Sequence, residues 1–104
     1  MTRSEVWWAD LPPPLGRRPV LILTRSTAVA ARNQVVVAQV TTTVHGLPCE
    51  VSLTRADGLP RDCVVNCDVL LTVPKARQTS RIARLSRPKM DAVHQALKFA
   101  LDIP

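Results

Sequence analysis

The sequence predicts a mainly β fold, a small SH3-like barrel or curled sheet, with one C-terminal α-helix. Three observations carry this. Short runs rich in Val, Leu, Ile and Thr recur up to about residue 85, separated by Pro- and Gly-containing turns. The apolar period changes to three and four only after Ser86, where Met90, Val93, His94, Leu97 and Leu101 make one stripe. Only three aromatics (Trp7, Trp8, Phe99) are present, so small aliphatic side chains must fill the core. The length of 104 residues fits a single domain over 1–104.

Each element follows in order. Glu5 to Leu11 reads as a strand, since Val6, Trp7 and Trp8 favour extended backbone. "LPPPLG" ends it, because proline supplies no ladder donor. Val20 to Thr24 is a second strand, and its unbroken apolar run predicts burial on both faces. Ser26 to Arg32 fits either a helical turn or a loop. Asn33 to Thr43 is the longest strand candidate, followed by a turn at "VHGLP". Glu50 to Leu53 alternates as a short strand, and "TRADGLPRD" turns at Asp57-Gly58. Asp62 to Cys67 and Leu70 to Val73 read as strands with a bend near Asp68, and Arg81 to Leu85 as one more. Ser86 as N-cap and Pro88 in the first turn set a helix over Arg87 to Leu101.

The net charge of +6 argues for an anionic partner, nucleic acid first. Six basic residues and no acid lie between Lys75 and Lys89, either a solvated face or a footprint for such a partner. There is no run of about 18 apolar residues and no signal-peptide hydrophobic region at the start, so a cytoplasmic protein is expected. Cys49, Cys63 and Cys67 are then expected as free thiols.

Several chemistries find no support. Cys63 and Cys67 on one strand would stand roughly 13 Å apart, too far to share a zinc ion. They read better as small buried hydrophobes, and no metal site is expected. His94 sits on the helix's apolar stripe and reads as core or interface packing. The sequence contains no GxSxG elbow and no phosphate-cradling glycine loop.

Arg17 and Arg18 stand before the apolar run "VLIL". Mounted on rigid backbone, a guanidinium can hold a phosphate with two hydrogen bonds; a rim salt bridge is the simpler reading of local sequence. "TTT", Thr41 to Thr43, closes the central strand, where a hydroxyl could serve a reaction centre or merely follow β propensity.

"SEVWWADLPPP", "GRRPVLILT", "VVVAQVTTT", "HGLPCEVSL" and "GLPRDCVVNCDVLLTV" follow one another in this order. Together they resemble the MazF/PemK family of toxins from type II toxin–antitoxin systems, over about Ser4 to Arg77. The resemblance implies a homodimeric SH3-like barrel and a metal-independent, sequence-specific endoribonuclease acting on single-stranded RNA, usually mRNA, without a cofactor. It implies attack by a ribose 2′-hydroxyl on the adjacent phosphate, leaving 2′,3′-cyclic phosphate and 5′-hydroxyl ends. It also implies a cognate antitoxin whose segment blocks the site; that segment is expected to be acidic, to compete for a cationic groove.

The family's arginine opens an R-P-V/A strand, which maps its role onto Arg18; its threonine ends the next long strand, which maps onto Thr41. A guanidinium holds its proton too tightly to be an easy base, so Arg18 is expected to stabilise charge and donate a proton. His45, in the following turn, is a candidate assistant in proton transfer. Substrate contacts are expected from Arg17, Thr42, Leu47, Pro48, Asp68 and Trp8. Asp68 could accept hydrogen bonds from unstacked bases or simply cap a turn. Trp8 could stack on a base or fill the core, and adjacent strand residues face opposite ways, so Trp7 and Trp8 cannot share one job. The loop "PPPLG" departs from the longer, often acidic loop of many family members and offers no carboxylate.

Two competing readings remain at this point. The gyrase poison CcdB has a similar fold and acts by protein contact, but depends on an aromatic residue near its C-terminus. The last four residues here, Leu101 to Pro104, contain none. The other reading is an RNA-binding barrel that does not cleave.

Overall fold

The computed structural model describes residues 1–104. Six strands form one antiparallel sheet: β1 Glu5–Asp10, β2 Arg17–Ile22, β3 Gln34–Thr41, β4 Glu50–Leu53, β5 Cys63–Pro74 and β6 Gln78–Arg84. Their order across the sheet is β4-β5-β3-β2-β1-β6. Helix α1 spans Ser26–Ala31 and α2 spans Arg87–Leu101. The mainly β architecture with a C-terminal helix is as the sequence predicts.

The sheet curls and carries apolar side chains on both faces. Leu21 and Leu23 enter a larger core, together with Ala38 and Val40 of β3. Val20 and Ile22 enter a smaller core on the other face, with Val35, Val37 and Val29 of α1. This explains the unbroken run "VLIL", since both sides of β2 are covered. Full burial of Leu21 and Ile22 contributes about 1.5–3 kcal/mol each. Segment 26–32, open between helical turn and loop in the sequence, is helical over Ser26–Ala31, where Ala28 and Val29 are buried.

Helix α2 closes the larger core through Met90, Val93 and Ala96. Ser86 caps it, its hydroxyl accepting from the Lys89 amide at 3.4 Å, and Pro88 occupies the first turn. His94 departs from expectation. The buried stripe runs through residues 93, 96 and 97, leaving His94 and Leu101 exposed. Spacing alone admitted both, but the helix axis turns them just past the edge of contact.

Several strand predictions need correction, and β2 runs over Arg17–Ile22 rather than Val20 to Thr24, so both arginines lie within the strand. β3 stops at Thr41 and β5 is the longest strand, twelve residues without a break. The expected bend at Asp68 is a bulge: pairing jumps from Ala38 opposite Leu70 to Gln39 opposite Asn66, leaving Cys67, Asp68 and Val69 outside the ladder. β6 also begins three residues earlier than predicted, at Gln78.

Four of the six basic residues between Lys75 and Lys89 have internal partners. Arg81 and Arg84 reach the buried Glu5 carboxylate at 3.2 and 3.4 Å. Lys75 donates to the Val29 carbonyl at 2.6 Å, and Lys89 to the Ser52 carbonyl at 2.6 Å. The basic run is therefore largely built into the fold. Burial would raise the Glu5 pKa, but hydrogen bonds from the Trp7 indole, the Thr2 amide and Arg81 outweigh it and hold the carboxyl down at about 2. No helix is long and apolar enough to cross a membrane.

Candidate active site

The proline-rich turn comes first. The Leu11 amide donates to the Gly16 carbonyl at 3.0 Å and the Leu15 amide to the Pro12 carbonyl at 3.1 Å. Gly16 has φ +67, a conformation open to glycine at little cost, and it returns the chain into β2. Leu15 then points its carbonyl at Arg18, whose Nε donates to it at 2.8 Å. The short loop supplies no carboxylate, yet it engages the guanidinium through Nε and leaves its remaining N–H groups without a partner in the chain.

Arg18 is half-buried and sits opposite Ala9 of β1. On its other side, β2 pairs with β3 up to Val20 opposite Gln39. Two more steps in that register bring Arg18 level with Thr41. Thr41 is half-buried at the end of β3, where its Oγ1 accepts from the Thr43 amide at 3.1 Å. Its hydroxyl proton remains to be donated.

An open hollow of about 380 Å³ gathers Trp8, Arg17, Arg18, Thr41, Thr42 and Arg61. Five of the sequence-predicted site residues thus come together. The Arg17 guanidinium lies 5.1 Å from the Trp8 ring centre, a cation–π contact that covers one ring face. Trp7 points elsewhere, as alternation requires: its Nε1 donates to Glu5 at 3.1 Å.

Arg61 was not singled out from the sequence. No local signal marks it, because the strand that follows β3 in the chain is β4, whereas the strand that pairs with β3 is β5. Thr41 pairs with Val64, so the turn that feeds β5 opens beside Thr41. Cys63 also borders the hollow.

The other predicted residues lie outside it. His45, Leu47 and Pro48 are exposed on the loop that leaves Thr42. Glu50 organises this loop: its carboxylate accepts from the His45 amide at 3.1 Å and the Leu47 amide at 3.0 Å. The Leu47 bond leads in holding the Glu50 carboxyl below its ordinary value. Asp68 stands on the β5 bulge, exposed, where it accepts from the Cys49 thiol at 3.2 Å. The three cysteines are free and buried. Burial pushes their thiols up, Cys67 to about 11, which keeps them protonated and unreactive.

The chain is similar to known proteins along nearly its whole length. Residues 2–101 match the family described as PemK-like, MazF-like toxin of type II toxin-antitoxin system. Probable endoribonuclease MazF5 of Mycobacterium tuberculosis is 40% identical over 101 residues, covering 96% of this chain and 92% of the relative. The structure of Mycobacterium tuberculosis toxin MazF-mt6 superposes with a TM-score of 0.89 at 35% identity, covering 96% of this chain and 98% of that one. An endoribonuclease from a mycobacterial species, solved in complex with its cognate antitoxin, gives 0.90 at 27% identity, covering 100% and 97%. Shared sequence along nearly the whole chain and the shared curled sheet lead to one conclusion: this protein belongs to the PemK/MazF family of toxins of type II toxin–antitoxin systems.

Proposed function

We propose that this toxin is a metal-independent endoribonuclease that cuts single-stranded RNA at the hollow where Arg18 meets Thr41. One observation carries the reading: a guanidinium oriented by the Leu15 carbonyl shares a hollow with the Thr41 hydroxyl. The ribose 2′-oxygen attacks phosphorus and gives its proton to a water molecule in the open hollow, while the bond to the 5′-oxygen breaks. That oxygen takes up a proton, leaving a 5′-hydroxyl and a 2′,3′-cyclic phosphate. Negative charge grows on the phosphoryl oxygens, where the fixed Arg18 N–H groups stabilise it. Arg18 also supplies the proton to the leaving group and regains one from water, and the Thr41 hydroxyl donates to a phosphoryl oxygen. No carboxylate borders the hollow, and three arginines there disfavour a bound cation.

Arg17, Thr42 and Trp8 hold the adjoining nucleotides. Trp8 offers its uncovered side and edge to a base, because Arg17 occupies the other face. Leu47, Pro48 and Asp68 extend the contact along the strand. His45 belongs with them rather than with proton transfer, since its side chain lines no part of the hollow. An acidic antitoxin segment competes for the same cationic surface. The chain acts as one domain over residues 1–104, in a cytoplasmic homodimer.

Incubation of total RNA with the protein in EDTA tests this. The expected result is discrete cuts with 2′,3′-cyclic ends, lost in Arg18→Ala. Tight RNA binding without any cut would leave a non-cleaving RNA-binding barrel. His45→Ala should weaken RNA binding and leave the pH profile of single-turnover cleavage in place; a lost limb of that profile would return His45 to proton transfer.

A further inference from the structure

Three arginines border the hollow, and no acidic residue does. A single phosphodiester carries one negative charge, so it would leave two guanidiniums uncompensated. Arg17 is engaged with the Trp8 ring and Arg18 is turned by the Leu15 carbonyl. Arg61 is exposed and has no hydrogen-bond or ion-pair partner within the chain, although Asp62 is its neighbour.

We propose that Arg61 grips a second phosphate of the same RNA strand, one nucleotide away from the phosphate that Arg18 faces. This rests on the RNA reading above. The turn that carries Arg61 is built to be rigid. Thr54 and Asp57 form a reciprocal capping box, and Asp57 lies 3.8 Å from the Lys89 amine of α2. Gly58 follows with φ +93, so close to β6 that an added Cβ would meet the Ala83 Cβ at 2.9 Å. Leu59 is buried in the larger core two residues before Arg61, and Cys63 is buried two residues after it. A cation mounted between two core anchors loses little freedom on binding a phosphate. Held at the entry to β5, Arg61 borders the same hollow as Leu15 of the β1–β2 turn and fixes the strand's direction through it.

The test uses an RNA oligonucleotide that the wild type cuts, with deoxyribose at the scissile nucleotide to remove the attacking hydroxyl. Binding is measured across a salt series. Arg61→Ala should bind about tenfold more weakly. Its slope of log affinity against log salt should fall by about 0.7, the value for one phosphate contact on a single strand. Lys98→Ala, outside the hollow, should keep the wild-type slope. A neutral methylphosphonate at the flanking position should weaken the wild type about tenfold and Arg61→Ala no further. Arg61→Gln, which keeps the side-chain stem, replaces Arg61→Ala if the latter melts early. An unchanged slope overturns the proposal, as does a loss confined to one base identity, which would make Arg61 a base reader. A wild type that cuts no RNA would instead overturn the RNA reading itself, so the two failures are told apart.

Discussion

Arg18 and Thr41 border one hollow because the β2–β3 register, carried two residues beyond Val20 opposite Gln39, brings them level. Neither residue is near the other in sequence. The pairing depends on two strands entering the sheet at fixed heights, and both heights are set by buried valines and leucines. Substitutions at this pair should therefore change chemistry more than stability.

Arg18→Lys keeps the charge and removes both the Nε–Leu15 bond and the planar fork. Single-turnover cleavage should fall about a hundredfold to a thousandfold, the range for removing a preorganised donor to developing charge. Stability should stay within about 0.5 kcal/mol of wild type by urea unfolding. A lysine variant that cuts at the wild-type rate would reduce Arg18 to a simple point charge.

Thr41→Val preserves shape and deletes the hydroxyl. Cleavage should drop about a hundredfold at saturating RNA, with a stability loss of only about 0.5 kcal/mol because the exposed Thr43 amide turns to water. Thr41→Ser should retain most of both. Equal rates for the serine and valine variants would remove the hydroxyl from the chemistry.

Glu5 anchors β1 to β6. Its carboxyl titrates at about 2 in the fold against an ordinary 4.5, so its charged form favours the native state. The sign follows: this stabilisation is complete above about pH 4.5 and disappears as pH falls toward 2. The shift corresponds to about 3 kcal/mol. Glu5→Gln should lower stability at pH 7 by about that amount and flatten the acid limb of the stability curve. Parallel acid limbs in urea titrations of the two proteins would contradict this.

Gly58→Ala should destabilise by about 2–4 kcal/mol, from positive φ combined with the clash on Ala83. Ala83→Gly in the same chain should recover the steric part, seen as a favourable coupling in a double-mutant cycle of melting curves. Additive losses would assign the whole cost to backbone strain.

Some of this was legible in the residues alone. Helix α2 matches its predicted span because Ser86, Pro88 and the stripe of Met90 and Val93 act within a few residues of one another. Arg18 and Thr41 were found through a family pattern, and the coordinates bring them together. Arg61 carries no local signature as a turn arginine; only the pairing of Thr41 with Val64 brings its turn to the hollow. The basic stretch after Lys75 showed charge without partners, since Glu5, Asp57 and the Val29 carbonyl lie far away in sequence.

The sequence by itself determined the mainly β class, the two-sided burial of β2 and the capped C-terminal helix, because these depend on period and on neighbours within a turn. The tertiary structure alone decided which cations are locked in ion pairs and which stand free. It also merged two predicted strands into β5 around the bulge at Asp68 and left His45 outside the hollow. Such outcomes follow from strand register, which is fixed by the summed packing of distant apolar side chains and leaves no mark on any short stretch.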